Sequence, residues 1–365
     1  MNIFFDHQIF IKQLKGGPSR YFTMLNNELN KIESINSKIY APFHINEFLH
    51  NDSKKNYFAI SKLKFSNFLF QRPRAINFFD RINNYISNHQ IRKFNPDIIH
   101  LTYYNDYINK KRPIIVTVFD LIHEKYFKDY GFKSPIYPKK KILNVADKVI
   151  CISNETKKDL KKFYNINDEK LEVVHLGVRQ KFEKKFNYID KPYILFVGTR
   201  WKYKNFFSLL KTLSNQKKIL NDFKVVLFGG GKLTKDEQIK IKNLNLEIDS
   251  FLNLNGNDEI LFQLYSNARV LIYPSKAEGF GLPIIEAFSS GCPVVCSNIP
   301  VLKEVADNAA VYFDPNDTDS IKENLNKVLY SDSLRQSLIV KGTERVKSFT
   351  WNRCAEETLK VYKKL

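Results

Sequence analysis

Two glutamates flank a glycine-rich turn in the C-terminal half of this 365-residue chain. Glu278 and Glu286 lie on either side of the segment 279–282, which follows an apolar run typical of a buried strand, and Pro283 is typical of a helix start. Glycines at such a turn let a ligand approach the backbone, and the N–H groups of a helix start favour a diphosphate. A carboxylate can accept hydrogen bonds from both hydroxyls of a ribose. The pattern predicts a nucleotide-sugar site, with Glu286 in the first helical turn.

A second loop supplies cations. The apolar run 193–197 is followed by Gly198, and Arg200, Lys202 and Lys204 come directly after it. At the carboxyl edge of a parallel strand this loop would face a ligand cleft, where arginine can bind phosphate bidentately and lysine can act as a point charge. We therefore expect the loop to bind an anionic group.

Each of these side chains also has a structural interpretation. Glu286 could simply complement the helix dipole, and Glu278 could be a solvated loop charge. The cations could form an ordinary exposed loop, because charge runs usually do. The residues alone leave these alternatives open.

Weaker signals occur at three other turns. Gly16 and Gly17 follow the first predicted strand, but a glycine pair is by itself typical of an ordinary turn. Asp120 and His123 follow the predicted strand 114–118 and could contact a sugar, although a lone histidine is more often structural. The triplet 229–231 does not form Gly-x-Gly-x-x-Gly, which argues against a nicotinamide dehydrogenase.

The elements that must position these residues are strands separated by helix-length spacers. This alternation implies βαβ units, and two such sets imply an α/β protein with two doubly wound, Rossmann-like domains facing across a cleft. The predicted strands are 3–5, 38–41, 97–101, 114–118, 148–152, 171–174, 193–197, 224–228, 246–248, 270–273, 293–296 and 310–313. The predicted domains are residues 1–180 and 181–347, followed by an amphipathic helix within 348–365.

Composition restricts the remaining classes. A net charge of +20 calls for a partner of opposite sign, and the stretch 54–74 carries six basic and no acidic residues interleaved with Phe65, Phe68 and Phe70. That stretch predicts contact with an anionic membrane surface, the alternative being a solvated face. No run approaches the roughly 18 apolar residues needed to span a bilayer and no signal peptide is visible, so we expect a cytoplasmic protein, peripheral on the inner face of the membrane.

Two motifs could suggest a metal, and we discount both. Cys292 and Cys296 lack further clustered ligands, and we expect them, like Cys151 and Cys354, to be buried thiols. The Asp-x-Asp pattern that begins at Asp317 is typical of a turn and helix cap. Ser153 is likewise expected to cap a helix.

The segment from Glu278 to Glu286 resembles the Glu-x7-Glu motif of the family 4 retaining glycosyltransferases, which have the GT-B fold. The resemblance covers nearly the whole chain and is strongest from Tyr193 onward. It implies that the N-terminal domain binds a glycan or lipid-linked glycan acceptor, that the C-terminal domain binds an NDP-sugar donor, and that the last helix packs back on the first domain. It also implies transfer on the same face without a covalent nucleophile. The biological setting would be a surface polysaccharide such as O-antigen or capsule.

The resemblance assigns roles by position. Many members have a histidine where Phe119 stands, so Asp120 or His123 would take over its contact with the sugar. Cationic side chains stabilise the departing diphosphate, so we expect no metal and no cofactor. The implied catalytic residues are Glu278, Arg200, Lys204, Asp120 and His123. The implied donor-binding residues are Glu286, Gly279, Phe280, Gly281, Leu282, Gly16 and Gly17.

Two other functions fit parts of the sequence. The charge alone suggests a polyanion-binding protein, but the chain lacks a recognisable nucleic-acid module, so we expect no nucleic-acid partner. A nucleotide-sugar epimerase would keep the same fold and change the reaction. Product analysis with and without an acceptor distinguishes these alternatives.

Overall fold

The structure is a computed structural model that describes residues 1–50, 56–63, 73–104, 111–126, 128, 135–179, 189–200 and 202–365. Most of the predicted membrane-contact stretch, residues 54–55 and 64–72, lies outside this part. Contacts between residues divide the chain into two compact units, Met1–Gly177 with Trp351–Leu365, and Val178–Thr350. The sequence had suggested divisions after residues 180 and 347.

Unit 1 is built on a parallel sheet of seven strands. The nine described strands of unit 1 are β1 (Asn2–Phe5), β2 (Asn36–Tyr40), β3 (Phe43–His44), β4 (Tyr57–Phe58), β5 (Ser61–Lys62), β6 (Ile98–Leu101), β7 (Ile114–Val118), β8 (Lys148–Cys151) and β9 (Leu171–Val173). The order is β4-β2-β1-β6-β7-β8-β9, and β3 pairs separately with β5. Every residue of β6 and β7 is buried, because helices cover parallel sheets on both faces.

The helices of unit 1 connect these strands. They are α1 (Gln8–Lys12), α2 (Gly17–Leu29), α3 (Pro73–Phe94), α4 (Ile122–Lys125), α5 (Ile136–Val145) and α6 (Asn154–Tyr164). Helix α2 has Pro18 in its first turn, where the missing N–H is not needed. Helix α6 begins after Ser153, whose side chain accepts a hydrogen bond from the Thr156 N–H and confirms the predicted cap.

Unit 2 contains a second parallel sheet. Its strands are β10 (Tyr193–Val197), β11 (Lys224–Phe228), β12 (Phe251–Leu254), β13 (Val270–Tyr273), β14 (Val294–Ser297) and β15 (Ala310–Phe313). The order β12-β11-β10-β13-β14-β15 changes direction between β10 and β13. In doubly wound sheets, ligands bind outside the carboxyl ends of the strands at such a switch point.

Eight described helices cover this sheet. They are α7 (Phe206–Ser214), α8 (Lys217–Asp222), α9 (Lys235–Asn243), α10 (Asp258–Asn267), α11 (Leu282–Ser289), α12 (Pro300–Ala306), α13 (Thr318–Leu329) and α14 (Asp332–Val346). Short 3-10 turns occur at Phe48–His50, Asp168–Lys170, Lys202–Lys204, Ile248–Ser250 and Asp307–Ala309.

One predicted strand was wrong. Residues 246–248 do not form a strand, and the edge strand is β12, which begins at Phe251. Asn245 adopts a left-handed conformation, and the Leu246 N–H bonds back to the Ile241 carbonyl. Leu246 is buried because it closes the turn after α9, so a short apolar pair was mistaken for a strand.

The C-terminal helix α15 (Trp351–Tyr362) packs on α2 and belongs to unit 1. Its buried residues recur at helical spacing, as the sequence predicted. At its end the Tyr362 hydroxyl lies 2.7 Å from Nδ1 of His100, and Nε2 of that histidine lies 2.8 Å from the Thr117 hydroxyl. This chain of contacts ties α15 to β6 and β7.

Candidate active site

The two loops singled out in the sequence meet at the switch point of unit 2. The cationic loop follows β10, and the Glu-Gly-Phe-Gly loop follows β13, which is the neighbouring strand. The Lys276 N–H donates to the Tyr203 carbonyl over 2.7 Å, so the two loops are joined directly. Parallel pairing of β10 with β13 therefore brings both predicted binding segments to one edge of the sheet.

Lys204 and Glu278 form an ion pair at this edge. The Lys204 ammonium donates to Glu278 Oε1 over 2.6 Å and to the Tyr273 hydroxyl over 3.1 Å. Their side chains are only 14% and 9% exposed, so water screens the pair weakly. Burial, and then the charge of Glu278, hold the pKa of Tyr273 well above its ordinary value, which keeps that hydroxyl neutral. The structure thus brings together two predicted catalytic residues.

Glu286 lies deeper in the same unit. Helix α11 begins at Leu282, so Glu286 is its fifth residue and stands in the second turn, where the sequence had placed it in the first. The distance from the helix start weakens the dipole interpretation, since that effect falls off within the first turn. The carboxylate is buried and accepts a hydrogen bond from the Tyr265 hydroxyl over 3.1 Å. Sequence reasoning missed Tyr265, which lies on α10 without any distinguishing motif.

Arg200 contacts a different carboxylate from the one that Lys204 contacts. Its Nε and Nη2 donate to the Glu237 carboxylate over 2.8 and 3.3 Å, and its Nη1 and Nη2 donate to the carbonyls of residues 229–232 over 3.0–3.2 Å. Burial raises the pKa of Glu237, but its contacts with Arg200 and Thr234 together outweigh burial and lower that pKa. The two predicted diphosphate cations are therefore each held by a carboxylate. Glu237 was missed because only its helix-capping pattern is visible in the sequence.

The glycine turn has the geometry that the sequence predicted for one of its two glycines. Gly281 is the N-cap of α11 with a φ of +109°, and an added Cβ would lie 2.9 Å from Leu302 Cδ2. A larger residue would be strained there both by the positive φ and by its contact with Leu302. Phe280 is buried, and its ring packs edge-on against Phe349 at 5.8 Å. Leu282, the last residue of the predicted donor-binding segment that starts at Gly279, is the first residue of α11.

The predicted residues of unit 1 lie on two turns. Gly16 precedes α2, and an added Cβ would lie 2.5 Å from Oε1 of Gln13, while Gly17 is the first helical residue. Asp120 Oδ1 accepts from the Ile122 N–H over 3.1 Å, which fixes the turn before α4. His123 is half-buried on α4, and burial lowers its pKa.

A buried ion pair supports the Asp120 turn. The Lys139 ammonium lies 2.8 Å from Glu124 Oε1 and donates to the Asp120 carbonyl over 3.1 Å. Phe119, which stands in place of the family histidine, packs edge-on against Tyr21 with ring centroids 5.4 Å apart. That position is therefore part of an aromatic cluster.

Other expectations have direct outcomes. Asp317 caps α13 by accepting from the Asp319 N–H over 2.9 Å, as predicted. All four cysteines are free and buried. Across the described ranges there is no group of three or more His, Cys, Asp or Glu side chains that could hold a metal ion. No helix in the described part of the chain is both long enough and apolar enough to cross a membrane.

Two family models match successive parts of this chain. Residues 15–181 match Glycosyltransferase Family 4, and residues 178–345 match Glycosyl transferases group 1. The chain belongs to glycosyltransferase family 4. Among curated relatives of this family 4 chain, O-antigen chain mannosyltransferase B of Escherichia coli is 46% identical over 108 residues, 30% of this chain and 28% of the relative. O-antigen chain mannosyltransferase RfbU of Salmonella typhimurium is 33% identical over 187 residues, 49% of this chain and 50% of the relative. The chain thus spans half or less of these relatives' length.

Solved structures show that this family 4 chain has the GT-B fold. Sucrose-phosphate synthase from Thermosynechococcus elongatus aligns with a TM-score of 0.77 at 19% identity, covering 100% of this chain and 98% of that one. HepE from Anabaena, solved in complex with UDP and glucose, aligns with a TM-score of 0.71 at 14% identity, covering 100% and 99%. The predicted fold class is confirmed.

Proposed function

We propose that this chain is a retaining glycosyltransferase that moves a sugar from an NDP-sugar to a glycan or lipid-linked glycan acceptor. The observation that carries the proposal is the Lys204–Glu278 pair at the switch point of unit 2, in the same unit as the buried Glu286. This combination places a cation for a diphosphate beside a carboxylate for sugar hydroxyls. The family membership of the chain supports the same function.

The donor would bind to unit 2. Glu286 would accept hydrogen bonds from the ribose hydroxyls, held in place by Tyr265, and the backbone of 279–282 would face the diphosphate. An ammonium group has three donors, and in the described structure Tyr273 and Glu278 take two of those of Lys204. The third would be available to a phosphate oxygen.

The proposed reaction breaks the bond between the anomeric carbon and the diphosphate oxygen. Lys204 and Arg200 would stabilise the negative charge that develops on the departing diphosphate, so that no metal ion is needed. The acceptor hydroxyl would attack on the face that the diphosphate leaves, and its proton would pass to the departing phosphate oxygen. Glu278 would hold the sugar hydroxyls.

The acceptor and setting are inferred from relatives and charge. The names of two relatives refer to O-antigen chains, which supports bacterial surface polysaccharide as the product class. The net charge of +20 favours an anionic surface, so we propose a cytoplasmic protein that is peripheral on the inner face of the cell membrane.

A donor screen tests the first half of this proposal. A nucleotide sugar that binds the native state should raise the apparent stability of the protein, and a panel of nucleoside diphosphates and nucleotide sugars ranks the candidates. Glu286→Gln should abolish the shift produced by the best ligand. No shift with any of the panel would count against donor binding.

Product analysis tests the second half. Incubation of the best donor with a lipid extract should give a glycosylated lipid and free nucleoside diphosphate, which mass spectrometry detects. A changed nucleotide sugar formed without acceptor would indicate an epimerase instead. Salt-dependent nucleic-acid binding without turnover would indicate a polyanion-binding protein.

A further inference from the structure

Helix α3 presents one face to solvent that combines aromatic rings with cations. Seven of its described side chains are exposed. Six of these lie on one side of the helix, because successive members are three or four positions apart, except for the adjacent Arg92 and Lys93. We call them the outward face of α3: Phe78, Arg81, Tyr85, His89, Arg92 and Lys93. A helix of 22 residues is about 33 Å long, so these side chains form an extended stripe.

The two aromatic rings on this face are highly exposed to solvent. Phe78 is 60% exposed, and Tyr85, at 81%, is the most exposed large hydrophobic side chain of the described residues. They are two turns apart and point the same way. Apolar rings beside cations on one face of a helix are the combination that lies in a membrane interface.

The charges on the face have one sign. Asp80 is the only acidic residue between Pro73 and Phe94, and its Oδ1 lies 2.9 Å from the buried His7 Nε2, on the other side of the helix. Arg81, Arg92 and Lys93 therefore stand without an acidic neighbour on their helix face. The stripe would attract a dense negative surface.

The opposite face fixes the orientation of the helix. Asn83 is fully buried, and its side chain both donates to and accepts from the Phe43 backbone, each over 2.9 Å. Ile91 and Phe94 pack against the hydrophobic core of unit 1. Because α3 cannot turn without breaking these contacts, its aromatic and cationic side chains stay outside.

We propose that the outward face of α3 docks on an anionic lipid bilayer. Phe78 and Tyr85 enter the interface while Arg81, Arg92 and Lys93 bind the headgroups, which is how a basic amphipathic helix lies on a membrane. A second copy of the chain is a poorer occupant, because it would bring cations against cations. This inference rests on the membrane setting of the proposed function and adds the surface that carries it.

The test uses the full chain and sedimentation with phosphatidylcholine vesicles, with and without phosphatidylglycerol. The charge variant is Arg81→Gln/Arg92→Gln/Lys93→Gln. Its matched control, Lys242→Gln/Lys303→Gln/Lys341→Gln, removes the same charge from exposed positions of unit 2. The charge variant should bind anionic vesicles about a hundredfold more weakly, since each cation near the surface contributes about fivefold. The control should change binding by only a few-fold.

A second variant reports on insertion. Phe78→Trp should show a blue-shifted emission with anionic vesicles and no shift without phosphatidylglycerol, and Phe78→Ser/Tyr85→Ser should weaken binding of the full chain. Circular dichroism checks that each variant is folded. Equal vesicle binding by the charge variant and its control would overturn the inference, as would binding of an oligonucleotide through this face without vesicle binding.

The outcomes separate this inference from the proposed function. None of the substituted residues belongs to the candidate active site, so nucleotide-sugar binding in solution should be unchanged in all variants. Vesicle binding through α3 in a protein that turns over no nucleotide sugar would leave the docking surface standing and refute the glycosyltransferase. Turnover of a nucleotide sugar by a protein that does not bind anionic vesicles selectively would support the glycosyltransferase and refute the docking surface.

Discussion

Lys204 and Glu278 depend on each other in the folded state. Each neutralises the other in a site that is mostly shielded from water, and each has a separate task in the proposed reaction. We expect Lys204→Ala and Glu278→Ala to lower transfer at least a hundredfold, because each removes a group that faces the reacting charges or hydroxyls. Thermal unfolding checks that the fold persists. Full activity in either variant would refute its assigned role.

The contact between Arg200 and Glu237 predicts that removing the Glu237 charge raises the affinity for nucleoside diphosphate. The Glu237 carboxylate occupies two donors of the guanidinium and adds negative charge where a diphosphate would bind. Glu237→Gln keeps a similar side chain at the start of α9 and removes the charge. We expect nucleoside diphosphate to bind severalfold more tightly, measured by calorimetry. Unchanged or weaker affinity would mean that Arg200 serves only to hold the glycine turn of residues 229–232.

Residue types were readable from the sequence, and their pairings were not. The spacing of Glu278 and Glu286 around the glycine turn predicts a binding loop, and the structure places this loop at the switch point of unit 2. That Lys204 pairs with Glu278, and Arg200 with Glu237, depends on how strands far apart in sequence lie in the sheet. Tyr265 could not be found, because a tyrosine on an amphipathic helix looks like any core residue.

Helix α15 is held to the rest of unit 1 by a polar contact inside an apolar interface. The Tyr362 hydroxyl and His100 are both buried. Tyr362→Phe leaves Nδ1 of the histidine unpaired, which costs about 1–3 kcal/mol for a buried polar group. Urea unfolding should show this loss of stability. A variant as stable as the wild type would mean that α15 is held by its apolar contacts alone.

The same histidine makes stability depend on pH. Burial lowers the pKa of His100 to about 3, whereas an unfolded histidine has a pKa near 6.5. The unfolded state therefore binds the proton more readily, so this contribution to stability is complete above about pH 6.5 and is lost as the pH falls toward 3. Between pH 7 and pH 5, wild type should lose more unfolding free energy than His100→Gln does. Equal losses would show that His100 does not titrate on unfolding.

Element prediction succeeded where strands are buried and long. Residues 114–118, 193–197, 224–228 and 270–273 form strands with the predicted bounds. The two-residue strands β3, β4 and β5 were not predicted, because so few residues carry no period. The error at 246–248 has the same origin, since burial in a turn and burial in a strand give the same short apolar signal.

For the whole molecule, the alternation of strands and helices was enough to predict two doubly wound units. The observed strand orders are those of doubly wound sheets. The order changes direction between β1 and β6 in one sheet and between β10 and β13 in the other. Charge was less informative than topology. Most of the basic and aromatic stretch 54–74 lies outside the described residues. Among the described residues, an exposed aromatic and basic stripe lies on α3, where burial of the opposite side decides which residues face outward.

The most direct test of the glycosyltransferase assignment is transfer from a labelled nucleotide sugar. Purified wild type, Glu278→Gln and Lys204→Ala would be incubated with the donor selected by thermal shift and with a bacterial lipid extract. We predict that wild type moves label into the lipid fraction, releases one nucleoside diphosphate for each sugar, and keeps the anomeric configuration, while both variants leave the donor intact. No consumption of any nucleotide sugar by a folded, donor-binding wild type, or equal transfer by the variants, would contradict the account.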